Sequence, residues 1–341
     1  MIKRKLLIVL TALIAAGTLF AGGSKDPAGQ STAVKPVVIQ IGYENNPGEP
    51  VDLGIHRWAE LVEQRSKGTM KIEIFPSSQL GNKNALIDQM LAGMNVITLA
   101  DGAFYADRGV PDLGICFAPY LFGSWDEAWQ LIKSDWWKGQ MGLLEQKGLK
   151  ILTANWIYGE RHTITKRPVR EVSNFAGLKI RVPNNVIQVK GMEIMGATPT
   201  PMPLGEVYTA LQQGVIDGME NPLTTIYGNK TQEVAKYLTL DGHVKNFTTW
   251  VCGTQFFNSL TAEQQQILVD CGNEAGIYNN QLQNQQSEET LTKLKAEGVE
   301  VITVDIGAFQ EQAKGFYDIP EIKAMFSPGL YDTVSNAKAV N

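Results

Sequence analysis

A chain of 341 residues with 44% hydrophobic side chains can bury a large core, and its length suggests about two domains. Acidic residues (35) outnumber basic ones (30), and three of the basic ones, Lys3, Arg4 and Lys5, sit in what reads as a removable leader. Without them the net charge is about −8, which opposes nucleic acid and anionic membranes and repels anionic ligands at long range. An acidic ligand would therefore need a local cationic clamp.

Behind those cations an apolar run from Leu6 to Ala16 continues through Phe20 to the small residues Ala21, Gly22 and Gly23. Basic, hydrophobic and small parts in that order form a secretory signal, and the run is short for a membrane span of roughly 20 residues. Cleavage is expected near Ala21, giving a leader over 1–21, a polar lead-in over 22–36, and export to the periplasm. Retention as an uncleaved anchor is the alternative. No Cys follows the leader, so lipid attachment is not indicated.

Val37–Gly42 reads as a buried strand, Val51–Ser66 as an amphipathic helix ended by Gly68, and Met70–Phe75 as a second strand stopped by Pro76. Asn82–Leu91 reads as helix and Val96–Ala100 as strand, and a Trp-rich helical stretch spans 124–145. Strands over Leu149–Trp156 and Arg161–Lys166 then lead into a second α/β unit, and Phe247–Phe257 is a β-rich return to the first. Repeated β-α-β order with near-continuous apolar strands predicts a parallel-type sheet covered on both faces. Thr261 with Gln264 forms a capping box, and helical character persists to Gly298. Two readings stand there: one helix of about 50 Å bridging two lobes, or two helices broken in the polar stretch 279–286. Val299–Val304 and a helical tail from Ala308 complete the chain. The lobes are expected over 37–157 with 248–286 and over 158–247 with 287–335.

Cys116, Cys252 and Cys271 lack C-x-x-C spacing, and His56, His162 and His243 are scattered, so no metal site or cofactor is expected. Each Cys reads as a small buried hydrophobe, with oxidation of one pair left open.

The most informative stretch is 178–222. Arg181 stands between Ile180 and Val182 on a short buried strand that Pro183 ends. A guanidinium is almost never buried alone, and its planar fork matches a carboxylate. Strand carboxyl ends are also where open α/β sheets place ligands. One reading is that Arg181 awaits a ligand anion; the other is an internal salt bridge to Glu206, Asp217 or Glu220. Asn184 and Asn221 could donate amide N–H groups to the same anion. Alternatively, Asn221 before Pro222 could cap a helix.

Gly177-Leu178-Lys179-Ile180-Arg181-Val182-Pro183-Asn184, Gly196-Ala197-Thr198-Pro199, Glu206-Val207-Tyr208-Thr209-Ala210-Leu211-Gln212 and Asp217-Gly218-Met219-Glu220-Asn221-Pro222 together resemble the substrate-binding subunits of TRAP (tripartite ATP-independent periplasmic) transporters. The likeness extends upstream through Pro76-Ser77-Ser78-Gln79-Leu80-Gly81 and Gly159-Glu160-Arg161. It implies a two-lobe periplasmic binding protein with a ligand cleft between the lobes, serving a membrane permease. It also implies that Arg181 clamps a substrate carboxylate, assisted by Arg161, Asn184 and Asn221. Leu204 departs from the pattern, because many relatives carry an aromatic residue there.

Tyr43, Glu44, Asp101 and Trp156 stand at strand ends and are expected to read the distal end of the ligand. Each is open to a plainer role as core aromatic or solvated acid. The two carboxylates suit a hydroxylated tail, so a sugar acid is favoured over a C4-dicarboxylate. No nucleophile elbow, H-E-x-x-H, phosphate loop or G-x-G-x-x-G is present, so a binder is favoured over an enzyme. A chemosensory binder without a transport role would share the same pocket.

Overall fold

The computed structural model describes residues 36–340. The leader, and all of the lead-in before Pro36, lie outside them. Among the described residues nine strands form one sheet: β1 (Val37–Gly42), β2 (Met70–Phe75), β3 (Val96–Ala100), β4 (Leu149–Thr165), β5 (Lys179–Val182), β6 (Thr198–Pro201), β7 (Gly218–Pro222), β8 (Tyr237–Gly253) and β9 (Glu300–Ile302). Their order is β2-β1-β3-β8-β4-β7-β5-β6, with β9 paired to β8. Pairing is parallel within β1, β2 and β3 and within β5, β6 and β7. Between these trios the parallel expectation fails, because β8 and β4 run antiparallel to β3, to each other and to β7.

β4 and β8 are each 17 residues long and cross both halves of the molecule. Two strands were expected over 149–166; instead one strand absorbs the interruption as register shifts between Ile151 and Thr163. Within them Gly159 has φ +135, and a Cβ there would lie 2.6 Å from the Pro222 Cβ, so the crossing requires glycine. The β-rich run Phe247–Phe257 likewise starts earlier, at Tyr237, and stops at Gly253, where Thr254–Ser259 turns helical. Asn221 lies inside β7, and Pro222 takes the cap position of the helix Leu223–Gly228, so the capping reading of Asn221 is corrected.

Helices Pro50–Arg65 and Lys83–Leu91 fall where their periodicity places them, the second capped by Asn82. The Trp-rich stretch is two helices, Trp125–Leu131 and Asp135–Gln146, because Ser124 and Ser134 each accept from a backbone N–H and start a new one. The C-terminal tail supplies Phe316, Ile322, Leu330 and Val334 to the same apolar cluster as Leu131, Trp137 and Leu144. All three cysteines are free and buried.

Ala262–Ala296 is a single helix of 35 residues, opened by the capping box of Thr261 and Gln264. Its polar stretch does not break it, because those side chains dock it onto the irregular part of β4. Asn279 donates to the Ile157 carbonyl (2.9 Å), Asn280 donates to that of Asn155 (2.8 Å), and Asn280 accepts from the Ile157 N–H (2.7 Å). Bulged backbone cannot pair fully with a neighbouring strand, and the amides satisfy it. No helix among the described residues is long and apolar enough to cross a membrane.

Candidate functional site

A small cavity opens where the carboxyl ends of β1, β3, β5 and β7 meet the middle of β4 and β8. Glu44 enters after β1, Leu99 and Asp101 from the end of β3, Tyr158 and Arg161 from β4, Arg181 and Pro183 from the end of β5, Asn221 from β7, and Asn246 and Thr248 from β8. Lys83, Gln188 and Leu204 close it from helical segments. Among the described residues no cluster of His, Cys, Asp and Glu could hold a metal ion.

Arg181 is 2% exposed, yet none of its expected internal partners neutralises it. Its Nε donates to the Met202 carbonyl at 2.9 Å, and it makes no ion pair among the described residues. Glu220 is taken by another cation, and the Asp217 carboxylate accepts the Lys179 N–H. Burial brings the Arg181 pKa down to about 10, with Glu44 and Glu220 opposing the fall only in part.

Arg161, the expected second cation, also lines the cavity, and it already has an internal partner. Its Nε and Nη2 reach the two Glu220 carboxylate oxygens at 2.5 and 2.7 Å, and Nη1 donates to Asn246 at 3.2 Å. Sheet register makes the pair: Thr163 stands opposite Glu220 across β4 and β7, so Arg161, two residues earlier, is its diagonal neighbour on the same face. Burial alone would raise Glu220, but Arg161 and His243 hold it at about 2. His243 lies 3.1 Å from Glu220 and 3.2 Å from Asp241. Burial would lower its pKa, but Asp241 and then Glu220 raise it to about 9. Arg161 thus borders the cavity as half of a neutral pair.

Of the other expected residues, Glu44, Asp101, Asn221 and Leu204 all line the cavity. Glu44 accepts the Leu204 N–H at 3.4 Å, tying one wall to another. Asp101 caps the helix Gly102–Ala106, and its carboxyl pKa is raised by burial, against the charges of Lys83 and Arg161. Asn221 is 2% exposed and its side-chain oxygen has no hydrogen-bond partner. Asn184 is exposed and lines an adjoining space with Arg181 and Lys83 rather than the cavity itself.

Tyr43 and Trp156 do not reach it. Side chains alternate along extended chain, so with Glu44 turned to the cavity Tyr43 turns to the core, where its hydroxyl donates to Asp52 at 2.5 Å. Trp156 packs on Trp58 and Trp250 and donates to the Gly272 carbonyl at 3.0 Å. The β4 irregularity presents Tyr158 to the cavity instead.

Lys83, Gln188, Tyr158, Asn246 and Thr248 were missed. Lys83 carried a readable signal, as a cation at the first position of a helix, where the dipole disfavours it. Gln188 sits in the first turn after the Asn185 cap, shortly beyond the Arg181 strand. The other three depend on the register of long strands, which sequence periodicity does not give.

A family model described as bacterial extracellular solute-binding protein, family 7, matches residues 41–323. The chain is 32% identical over 309 residues to the 2,3-diketo-L-gulonate-binding periplasmic protein of Escherichia coli, covering 90% of this chain and 91% of that one. It is 31% identical to the sialic acid-binding periplasmic protein of Vibrio cholerae, over 82% and 87% of the two chains. Among solved structures, a TRAP periplasmic solute binding protein from Ochrobacterium anthropi with bound L-fuconate superposes with TM-score 0.86 at 42% identity, covering 89% of this chain and all (100%) of that one. Another, from Actinobacillus succinogenes with bound L-galactonate, gives TM-score 0.85 at 41% identity over 89% and 99%. The chain belongs to the bacterial extracellular solute-binding proteins of family 7, with the two-lobe α/β fold of TRAP transporter solute-binding proteins.

Proposed function

We propose that this protein captures a sugar acid, an aldonate or uronate, in the periplasm and delivers it unchanged to the membrane permease of a TRAP transporter. The observation that carries this reading is Arg181: buried, without an acidic partner among the described residues, and lining a polar cavity. Its fork would take the ligand carboxylate in bidentate fashion. Asn221 would donate beside it, Asn184 would serve at the rim, and Leu204 would form an apolar wall. Glu44 and Asp101 would accept hydrogen bonds from ligand hydroxyls. The L-fuconate and L-galactonate seen in two relatives at about 40% identity support the cargo class.

The expected lobes are 37–157 with 248–286 and 158–247 with 287–335, except that the tail from Phe316 packs on the Trp-rich helices of the first lobe; the hinge would lie where β4 and β8 shift register near Gly159. A ligand touching both lobes would favour the closed form by its differential affinity alone. A thermal-shift screen against aldonates, uronates and C4-dicarboxylates tests the proposal. A ligand at 100 times its dissociation constant adds about 2.7 kcal/mol of stability. Stabilisation by C4-dicarboxylates alone would reject the sugar-acid cargo, and silence across the panel would reject the clamp.

A further inference from the structure

We propose that Lys83 is a specificity-determining residue whose ammonium, set with Glu44 and Asp101, recognises the hydroxyl groups of a monocarboxylate rather than a second carboxylate. The inference rests on the Arg181 reading above and goes further by assigning the other half of the cavity.

Lys83 is placed against its own stability. It is the first residue of the helix Lys83–Leu91, at the positive end of the helix dipole. No carboxylate pairs with it among the described residues; its ammonium rests 4.6 Å from the centroid of the Phe104 ring. Burial pulls its pKa down, and the charges of Glu44 and Asp101 restore only part of the fall. Lys83 is half-buried, and a cation on a helix amino terminus without an ion-pair partner gains if a guest completes its hydrogen bonds. Lys83 lines both the cavity and the adjoining space, and Arg181 and Glu44 share both with it.

Charge decides what that guest offers. Arg161 and Glu220 cancel each other, which leaves two cations, Arg181 and Lys83, against two carboxylates, Glu44 and Asp101. The wall is neutral before the ligand arrives. A monoanion adds one buried charge and a dianion two, with its second carboxylate brought up against two acids. The acceptors on this wall also have room for donors: Glu44 and Asp101 each accept one backbone N–H and keep further lone pairs. Glu44 and Asp101 only accept when ionised, and the Gln188 side-chain oxygen, on a residue 4% exposed, has no partner. Hydroxyl groups supply protons to these acceptors and lone pairs to the ammonium at once, whereas an ionised carboxylate at that end supplies no donor.

Calorimetry of the full chain with L-galactonate and with galactarate, its six-carbon diacid counterpart, tests this. Wild-type protein is expected to bind L-galactonate at least about tenfold more tightly than galactarate, and Lys83→Gln to lose about tenfold for L-galactonate while unfolding at the wild-type temperature or above it. The wild-type comparison requires no variant to fold. Tighter binding of galactarate would overturn the proposal by making Lys83 the seat of a second carboxylate. A Lys83→Gln affinity within twofold of wild type would overturn it by making the ammonium structural, with the Arg181 reading intact. Wild-type protein that binds neither acid would reject that reading, and this one with it.

Discussion

Replacing Arg181 with methionine should move stability and affinity in opposite directions. The guanidinium is 2% exposed, and its pKa falls from 12.5 to about 10 because burial outweighs the distant acids. At 1.36 kcal/mol per pKa unit, about 3 kcal/mol of charge burial is left uncompensated at pH 7, where the group is protonated both folded and unfolded. The hydrogen bond from Nε to the Met202 carbonyl returns about 1 kcal/mol, which the variant forfeits. Unliganded Arg181→Met is therefore expected to be more stable than wild type by about 2 kcal/mol, read as a higher urea midpoint at unchanged slope. The same variant lacks the carboxylate fork, a charge-assisted contact of about 1.5–3 kcal/mol, so its calorimetric affinity for a sugar acid should fall at least about tenfold. An arginine held by an internal acid would behave differently, because removing it strands a buried carboxylate and destabilises the fold. Lower stability with intact affinity would refute the reasoning.

Glu220→Gln should do what Arg181→Met does not: it strands Arg161 and costs about 3–5 kcal/mol in urea denaturation. His243 sets the alkaline limit. Its folded pKa of about 9 lies above the usual 6.5, so its contribution is complete below pH 6.5 and is lost as pH rises through 9. Melting temperatures should decline over that window, and the His243→Gln variant should show a flatter decline. Gly276→Ala places a Cβ 2.7 Å from the Asn155 Oδ1 and 2.8 Å from the Trp156 ring, so it should lift the long helix from β4 and cost about 1–3 kcal/mol on thermal unfolding.

What the sequence made legible were features with local causes. β1, β2 and β3 fall where alternating breakers and apolar runs place them, and the capping box at Thr261 opens the long helix. Arg181 was found because Ile180, Val182 and Pro183 specify its surroundings within four residues. Features set by distant partners stayed hidden. Nothing local says that the polar run 279–286 answers the bulged backbone of β4, or that Trp156 turns to the core while Tyr158 turns to the cavity.

The two arginines show why that limit matters for function. Both are buried, both border the cavity, and both stand on strands, so residue type and local pattern treat them alike. Sheet register separates them. The antiparallel pairing of β4 with β7 brings Glu220 diagonally beside Arg161, whereas the parallel pairing of β5 with β7 sets Arg181 opposite Met219, an apolar residue. One guanidinium is neutralised as the sheet forms, and the other makes no ion pair among the described residues. On the proposed reading Glu220 would therefore shape binding without touching the ligand. By engaging Arg161 it would leave Arg181 as the guanidinium whose desolvation a guest carboxylate relieves, and the carboxylate end of the ligand would lie there.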